Sequence, residues 1–137
     1  MQLQPYLYFG GQCEAAIEFY KKAVGATVER FMRFDDSPQP HPEGAIPRDW
    51  GHKVMHATLR IGESTVMASD GCGGSKFDGF ALSANVASDD EARRVFSALG
   101  EGGKVCMPLN RTFFAHSFGM VTDKFGVAWM VIHMLAH

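Results

Sequence analysis

Apolar residues recur along this chain with two periods, and the order in which those periods change is the same in both halves. Met1 to Phe9 mixes apolar and aromatic residues without a helical stripe and stops at Gly10-Gly11, which predicts a first strand. From Cys13 to Val24 the apolar residues Cys13, Ala16, Ile17, Tyr20, Ala23 and Val24 return at helical steps. Gly25 stands where a left-handed helix end belongs, so the segment reads as an amphipathic helix. Ala26 to Phe34 reads as a strand. Asp35 to Gly51 contains Pro38, Pro40, Pro42 and Pro47 and can form neither helix nor ladder, which predicts a mobile flap. Lys53 to Ile61 and Ser64 to Asp70, separated by Gly62-Glu63, read as a tight hairpin.

After Gly71 to Lys76 breaks the chain, the order starts again. Phe77 to Val86 reads as a strand, and Ser88-Asp89-Asp90-Glu91 is a capping box that opens a helix with Ala92, Val95, Phe96 and Leu99 on one face. Lys104 to Leu109, His116 to Asp123 and Val127 to His133 are three further strands, the last two joined through Lys124-Phe125-Gly126. Residue against residue, Glu14, Ala15, Phe19, Gly25 and Val28 match Glu91, Ala92, Phe96, Gly102 and Val105 at a constant offset of 77. Past the proline-rich segment, which has no counterpart, the offset falls to 63, where Met67 meets Met130. The pattern predicts one α+β domain over residues 1–137, built of two βαβββ halves, 1–70 and 77–137, joined by 71–76.

Composition removes several function classes. A chain of 137 residues with 46% hydrophobic and 20% charged residues can bury a core. Thirteen basic against fifteen acidic residues give a formal charge of −2, which offers no footprint for nucleic acid or for an anionic membrane. No apolar run approaches the ~20 residues of a membrane-spanning helix. Met1 to Pro5 lacks the basic flank and apolar stretch of a signal peptide, so a cytoplasmic location is expected. Cys13, Cys72 and Cys106 form no C-x-x-C pair or zinc cluster and read as reduced thiols. Cys72, among glycines, would be exposed, with no adjacent base to activate it.

Three segments carry a family resemblance. Pro5-Tyr6-Leu7-Tyr8-Phe9 with Ala15-Ala16-Ile17-Glu18-Phe19-Tyr20 looks like an opening strand and helix. Met55 to Gly62 leading to Val66-Met67-Ala68-Ser69-Asp70 looks like a central hairpin, and Phe118 to Met130 like a closing one. Together they resemble the PhnB-like branch of the vicinal oxygen chelate superfamily, which includes glyoxalases, bleomycin-resistance proteins and dioxygenases. The resemblance implies that the strands of the two modules curl into a partly open, mixed sheet around a cavity, with the helices outside, and that the protein forms a homodimer.

Enzymes of that superfamily hold a divalent metal with a His on the first strand and a Glu on the last strand of each module. Laid onto this chain, the His positions fall at Pro5 and Gly79 and the Glu positions at Met67 and Met130. Pro and Gly side chains offer no donor and a thioether is soft and neutral, so no metal and no cofactor are expected. Residues of the same parity as these four positions would face the cavity: Leu7, Phe9, Thr65, Met67, Ser69, Ala81, Ser83, Asn85, Met130 and Ile132. Because Thr58 matches Val121 at the offset of 63, His56, Thr58 and Arg60 would join them. Phe9, His56, Thr58, Met67, Ser69, Ser83 and Met130 are therefore the candidate ligand-binding residues of a partly apolar pocket.

His56 is the candidate catalytic residue. An inward His can be a hydrogen-bonded structural residue, a general base or a lone ligand, and Asp70, Ser69 or Thr58 could orient it. Asp70 otherwise reads as a turn cap. His41, His52, His116, His133 and His137 lack helical metal spacing and read as solvated, and Trp129, of opposite parity to Met130, reads as a core anchor. Two functions remain open. One is a metal-free protein that binds a small, partly apolar molecule. The other is a lyase, isomerase or dioxygenase with a displaced metal or with His56 as base. No strand leads into a G-x-G turn with a downstream acid, which excludes that design of site for a methyl-donor cofactor.

Overall fold

In the computed structural model, which describes residues 1–136, the changes of period mark the elements. The first unit, Met1–Lys76, contains β1 (Tyr6–Tyr8), α1 (Cys13–Ala23), β2 (Thr27–Arg33), β3 (Val54–Ile61) and β4 (Ser64–Ser69). The second, Phe77–His137, contains β5 (Leu82–Asn85), α2 (Asp89–Gly100), β6 (Lys104–Asn110), β7 (Ala115–Thr122) and β8 (Ala128–Met134). Each unit forms one four-stranded mixed sheet, in the orders β1-β4-β3-β2 and β5-β8-β7-β6. In both, the first strand runs parallel to the last and the other pairs are antiparallel. The matched glycines Gly25 and Gly102 both take a left-handed backbone, with φ of +70° and +73°, so the repeat extends to the turn after each helix.

The sheets bury one face each. In the first unit Leu7, Ala57, Leu59, Val66 and Ala68 are buried, as are Cys13, Ala16, Ile17, Tyr20 and Ala23 of α1. The Phe9 ring lies 6.1 Å from that of Tyr20, and both guanidinium nitrogens of Arg33 on β2 hold the Glu14 carboxylate on α1 at 2.8–2.9 Å. In the second unit α2 packs on β6, β7 and β8 through Ala92, Val95, Phe96 and Leu99, against Val121, Trp129 and Val131. Trp129 is a core anchor, as its parity predicted, and its indole N–H donates to Asp123 at 2.9 Å. Burying these side chains is the main drive for folding, at roughly 1.5–3 kcal/mol for each large one.

Two buried carboxylates organise the ends of strands. Asp70, 1% exposed, accepts N–H bonds from Gly11, Cys13 and Val54 at 2.7–2.9 Å. It is a clamp between distant segments rather than the cap of its own turn. Asp123 accepts from the amides of Phe125 and Val127 as well as from Trp129. At α2 the Ser88 hydroxyl caps the amide of Glu91, while the Glu91 carboxylate reaches one residue further back than a capping box requires, to the amide of Ala87.

Two expectations are corrected. The strand expected over Phe77 to Val86 is confined to Leu82–Asn85, because only these residues find partners on β8; Gly79 and Ala81 lie outside it. The third-strand alignment slips by one: Met67 pairs with Thr58 while Met130 pairs with Met120, so Thr58 corresponds to Met120, and Val121, 1% exposed, belongs to the helix-covered face. The proline-rich segment is pinned at its base. Phe34 and Asp35 donate to the carbonyls of Lys53 and Gly51, His41 contacts the carbonyl of Phe34, and the Trp50 indole donates to that of Gly71.

Within the second unit, Gly119 on β7 lies tight against α2 and β6. A Cβ there would sit 2.9 Å from Phe96 Cε1 and 3.1 Å from the Cα of Leu109. Gly119→Ala should therefore cost about 1–3 kcal/mol by overpacking, read as an earlier urea midpoint. A midpoint equal to the parent's would mean that α2 and β6 yield freely.

Candidate functional site

Alternation leaves the other face of each sheet open, and ladder register arranges that face in rows. In the first unit one row runs Arg30, Thr58, Met67, Tyr6 across β2, β3, β4 and β1; beyond it Met32 stands opposite His56, and Ser69 opposite Tyr8. The Tyr6 hydroxyl lies 2.8 Å from His56 Nδ1, and His56 Nε2 lies 2.9 Å from the Thr58 hydroxyl. Tyr6 and Tyr8 stack with centroids 5.0 Å apart and ring planes 18° from parallel. Partial burial, with smaller contributions from Tyr8 and Cys13, pushes the Tyr6 phenol above its ordinary pKa, so it stays protonated at neutral pH.

The trio Tyr6–His56–Thr58 has two arrangements of protons. If His56 carries its proton on Nε2, Tyr6 donates to Nδ1 and the ring donates to Thr58, leaving the Thr58 O–H to point onward. If the proton is on Nδ1, the direction reverses and the Tyr6 O–H is released. In either state the face offers a donor at one end and an acceptor at the other. A neutral imidazole held on both nitrogens can pass a proton along this line.

In the second unit the corresponding row is Met107, Met120, Met130, Ser83, flanked by Phe118, Ile132 and Asn85. Thioethers and one hydroxyl replace the cationic and imidazole groups of the first unit. This surface is adaptable and polarizable, without an ionisable group in the row.

The structure brings His56, Thr58 and Met67 onto one open face and Ser83 and Met130 onto another. It removes two candidates. Phe9, like Leu7, is buried on the helix-covered side of its sheet, with its ring against Tyr20. The parity taken from Pro5 was wrong by one, because Met67 sits opposite Tyr6 in the parallel ladder. Ser69 is buried, its hydroxyl donating to the Val54 carbonyl and accepting from the Gly71 amide, so it has no proton left to offer. Of the partners considered for His56, Asp70 is saturated by backbone amides and Thr58 makes the contact. The residues missed were Tyr6, Tyr8 and Arg30. The alternation of Tyr6 and Tyr8 with the wholly apolar Leu7 and Phe9 was the available signal.

The register also shifts the superfamily's metal positions. Tyr6 stands beside Met67 and Ser83 beside Met130, in place of Pro5 and Gly79. A neutral phenol, an alcohol and thioethers do not make a site for a hard divalent cation. Among the described residues no group of three or more His, Cys, Asp or Glu side chains converges as a metal site would. Burial raises the Cys13 thiol far above its ordinary pKa, which makes it inert, whereas Cys72 and Cys106 are exposed.

Three histidines expected in solvent are held. His41 contacts Phe34, and His133 Nδ1 lies 2.8 Å from Asp89 Oδ1, which also accepts from the Ser117 hydroxyl at 2.7 Å. His116 packs on His133 with centroids 4.6 Å apart. The partner Asp89 is 44 residues from His133, outside any local motif. His137 lies outside the described residues.

A family model described as the Glyoxalase/Bleomycin resistance protein/Dioxygenase superfamily matches residues 2–131. Protein YjdN of Escherichia coli (strain K12) is 37% identical over 138 residues, covering 96% of this chain and 94% of its own. Protein PA1353 from Pseudomonas aeruginosa has a crystal structure that superposes with a TM-score of 0.85, at 46% identity over 98% of each chain. The PhnB protein from Bacillus cereus superposes with a TM-score of 0.77 at 25% identity, over 97% of this chain and 99% of its own. No helix among the described residues is long and apolar enough to cross a membrane.

The Asp89 contacts set a pH dependence. Hydrogen bonds from His133 and then Ser117 hold its carboxyl below the ordinary value of 3.8, so their stabilisation is present above that value and is lost as pH falls through the lower, folded-state value. His133→Phe should lower the melting temperature at pH 6, and the deficit should shrink towards pH 3. A deficit unchanged across that range would show that the Asp89 contact does not contribute.

Proposed function

We propose that this chain, which belongs to the glyoxalase/bleomycin-resistance/dioxygenase superfamily, binds a small, partly apolar molecule on the open face of a sheet and does so without a metal. The observation that carries this reading is the donor set at the ladder positions where the superfamily's enzymes hold their metal. Tyr6 beside Met67 and Ser83 beside Met130 combine hydrogen-bonding hydroxyls with thioethers, the composition of a small-molecule site. Thr58 and His56 extend the polar part of the face in the first unit, and Met120 extends the apolar part of the face in the second.

One observation favours a second reading, that of an enzyme. A general base needs a group that orients it, and Tyr6 and Thr58 hold both nitrogens of His56. In that case His56 would relay a proton between Thr58 and Tyr6, with the substrate at either end. The homodimer is likewise proposed. It is supported by the apolar residues Val28 and Phe31 on β2 and Val105 and Met107 on β6, all exposed in the single chain.

Elemental analysis after chelator-free purification should find no stoichiometric divalent metal, and His56→Ala should not change that. A thermal-shift screen of aromatic and antibiotic compounds should find ligands that stabilise the protein. One metal per chain, lost in His56→Ala, would replace the binding protein with the enzyme. Sedimentation at micromolar concentration should give twice the chain mass; a mass near 15.1 kDa would rule out the dimer.

A further inference from the structure

We infer that the open face of the first unit is built for a ligand that carries an anionic group, such as a small aromatic carboxylate, with Arg30 as its charge partner. The inference rests on the small-molecule reading and adds the ligand's charge. It comes from a charge count along the rows. Arg60, at the end of β3, donates from Nε to the Glu29 carboxylate at 3.1 Å, so this cation is already neutralised. Glu29 can make that contact because it is the extra residue of a bulge between Val28 and Arg30, where the register on β3 shifts.

The same bulge sets Arg30 directly opposite Thr58, on the face that carries His56, Met67 and Tyr6. No acid among the described residues pairs with it. Asp70, buried after the end of β4, turns its carboxylate oxygens to the amides of Gly11, Cys13 and Val54 and does not pair with Arg30. The face therefore holds one uncompensated guanidinium in a row with a hydroxyl, a thioether and a phenol. A guanidinium binds a carboxylate through two parallel N–H bonds, and the Thr58 O–H can supply a third donor when His56 is protonated on Nε2. Met67 and the stacked Tyr6 and Tyr8 rings, 37% and 50% exposed, would take the flat apolar body of the ligand.

Matched pairs of probes test the charge directly. Benzoate, salicylate and 4-hydroxybenzoate are compared with benzamide, salicylamide and 4-hydroxybenzamide, binding being followed by ligand-observed NMR titration at constant ionic strength. The parent protein should bind each acid about tenfold more tightly than its amide, the size expected of one charge-assisted contact. Arg30→Gln should abolish that preference while leaving amide binding in place. Lys22→Gln, which removes the same charge from exposed α1, should preserve the preference, so that a general loss of positive charge is not mistaken for the site. Acids and amides binding equally to the parent would overturn the anionic class and leave the small-molecule reading intact. A preference for acids that survives in Arg30→Gln would overturn Arg30 as the anchor. Failure of both series, with no hit in the wider thermal-shift screen, would overturn the small-molecule reading as well. Circular dichroism of each variant confirms that it is folded.

Discussion

The junction between the last strand and the start of the helix governs each unit, and the two units make it with opposite chemistry. In the first, Asp70 at the end of β4 collects the amides of Gly11 and Cys13 at the entrance to α1 and of Val54 at the entrance to β3. A carboxylate taken out of water is tolerable only when its lone pairs are met, and three amide donors meet them. That requirement locks the helix start, and with it the layer in which Phe9 meets Tyr20. At the offset of 63 the counterpart of Asp70 is His133, on β8. There the strand supplies the imidazole and the helix supplies the acid, Asp89, braced by Ser117. The joint is kept while its polarity is inverted, and the second version is more open to solvent and to pH.

This inversion explains why the repeat was legible as architecture and not as chemistry. Element order follows from periods of apolar residues and from glycines that must turn left-handed, and these survive in both halves, as Gly25 and Gly102 show. Parallel pairing is different. Nothing local in a three-residue strand such as β1 states which of its residues will stand opposite Met67, and an error of one position moves every side chain to the other face. The error placed Phe9 in the site and hid Tyr6 and Tyr8. On β3 and β4, where a tight hairpin sets the register, His56, Thr58 and Met67 were placed together correctly on one face. Ser69 was assigned to a face on parity, but parity does not reveal a hydroxyl already engaged by neighbouring backbone.

The bulge at Glu29 shows the same limit from another side. Sequence records Glu29 and Arg30 as adjacent opposite charges, which would ordinarily be read as a solvated surface pair. The extra residue in β2 separates their fates by sending Glu29 to Arg60 and leaving Arg30 opposite Thr58. A bulge needs no special residue in the sequence when it is paid for by one ion pair at a strand edge, so this signal exists only in the folded chain.

Divergence of the two open faces then follows from what the scaffold leaves unconstrained. The helix-covered faces must fill space, and both units fill it with aliphatic and aromatic residues of similar size. The open faces carry no packing requirement, and the row Arg30, Thr58, Met67, Tyr6 shares with Met107, Met120, Met130, Ser83 only the methionine of the last strand. A thioether at that point keeps the ladder position filled and neutral in both units. With a hard ligand missing there, polar specificity has to come from the flanking strands, which in the first unit supply an imidazole held at both nitrogens and the guanidinium of Arg30.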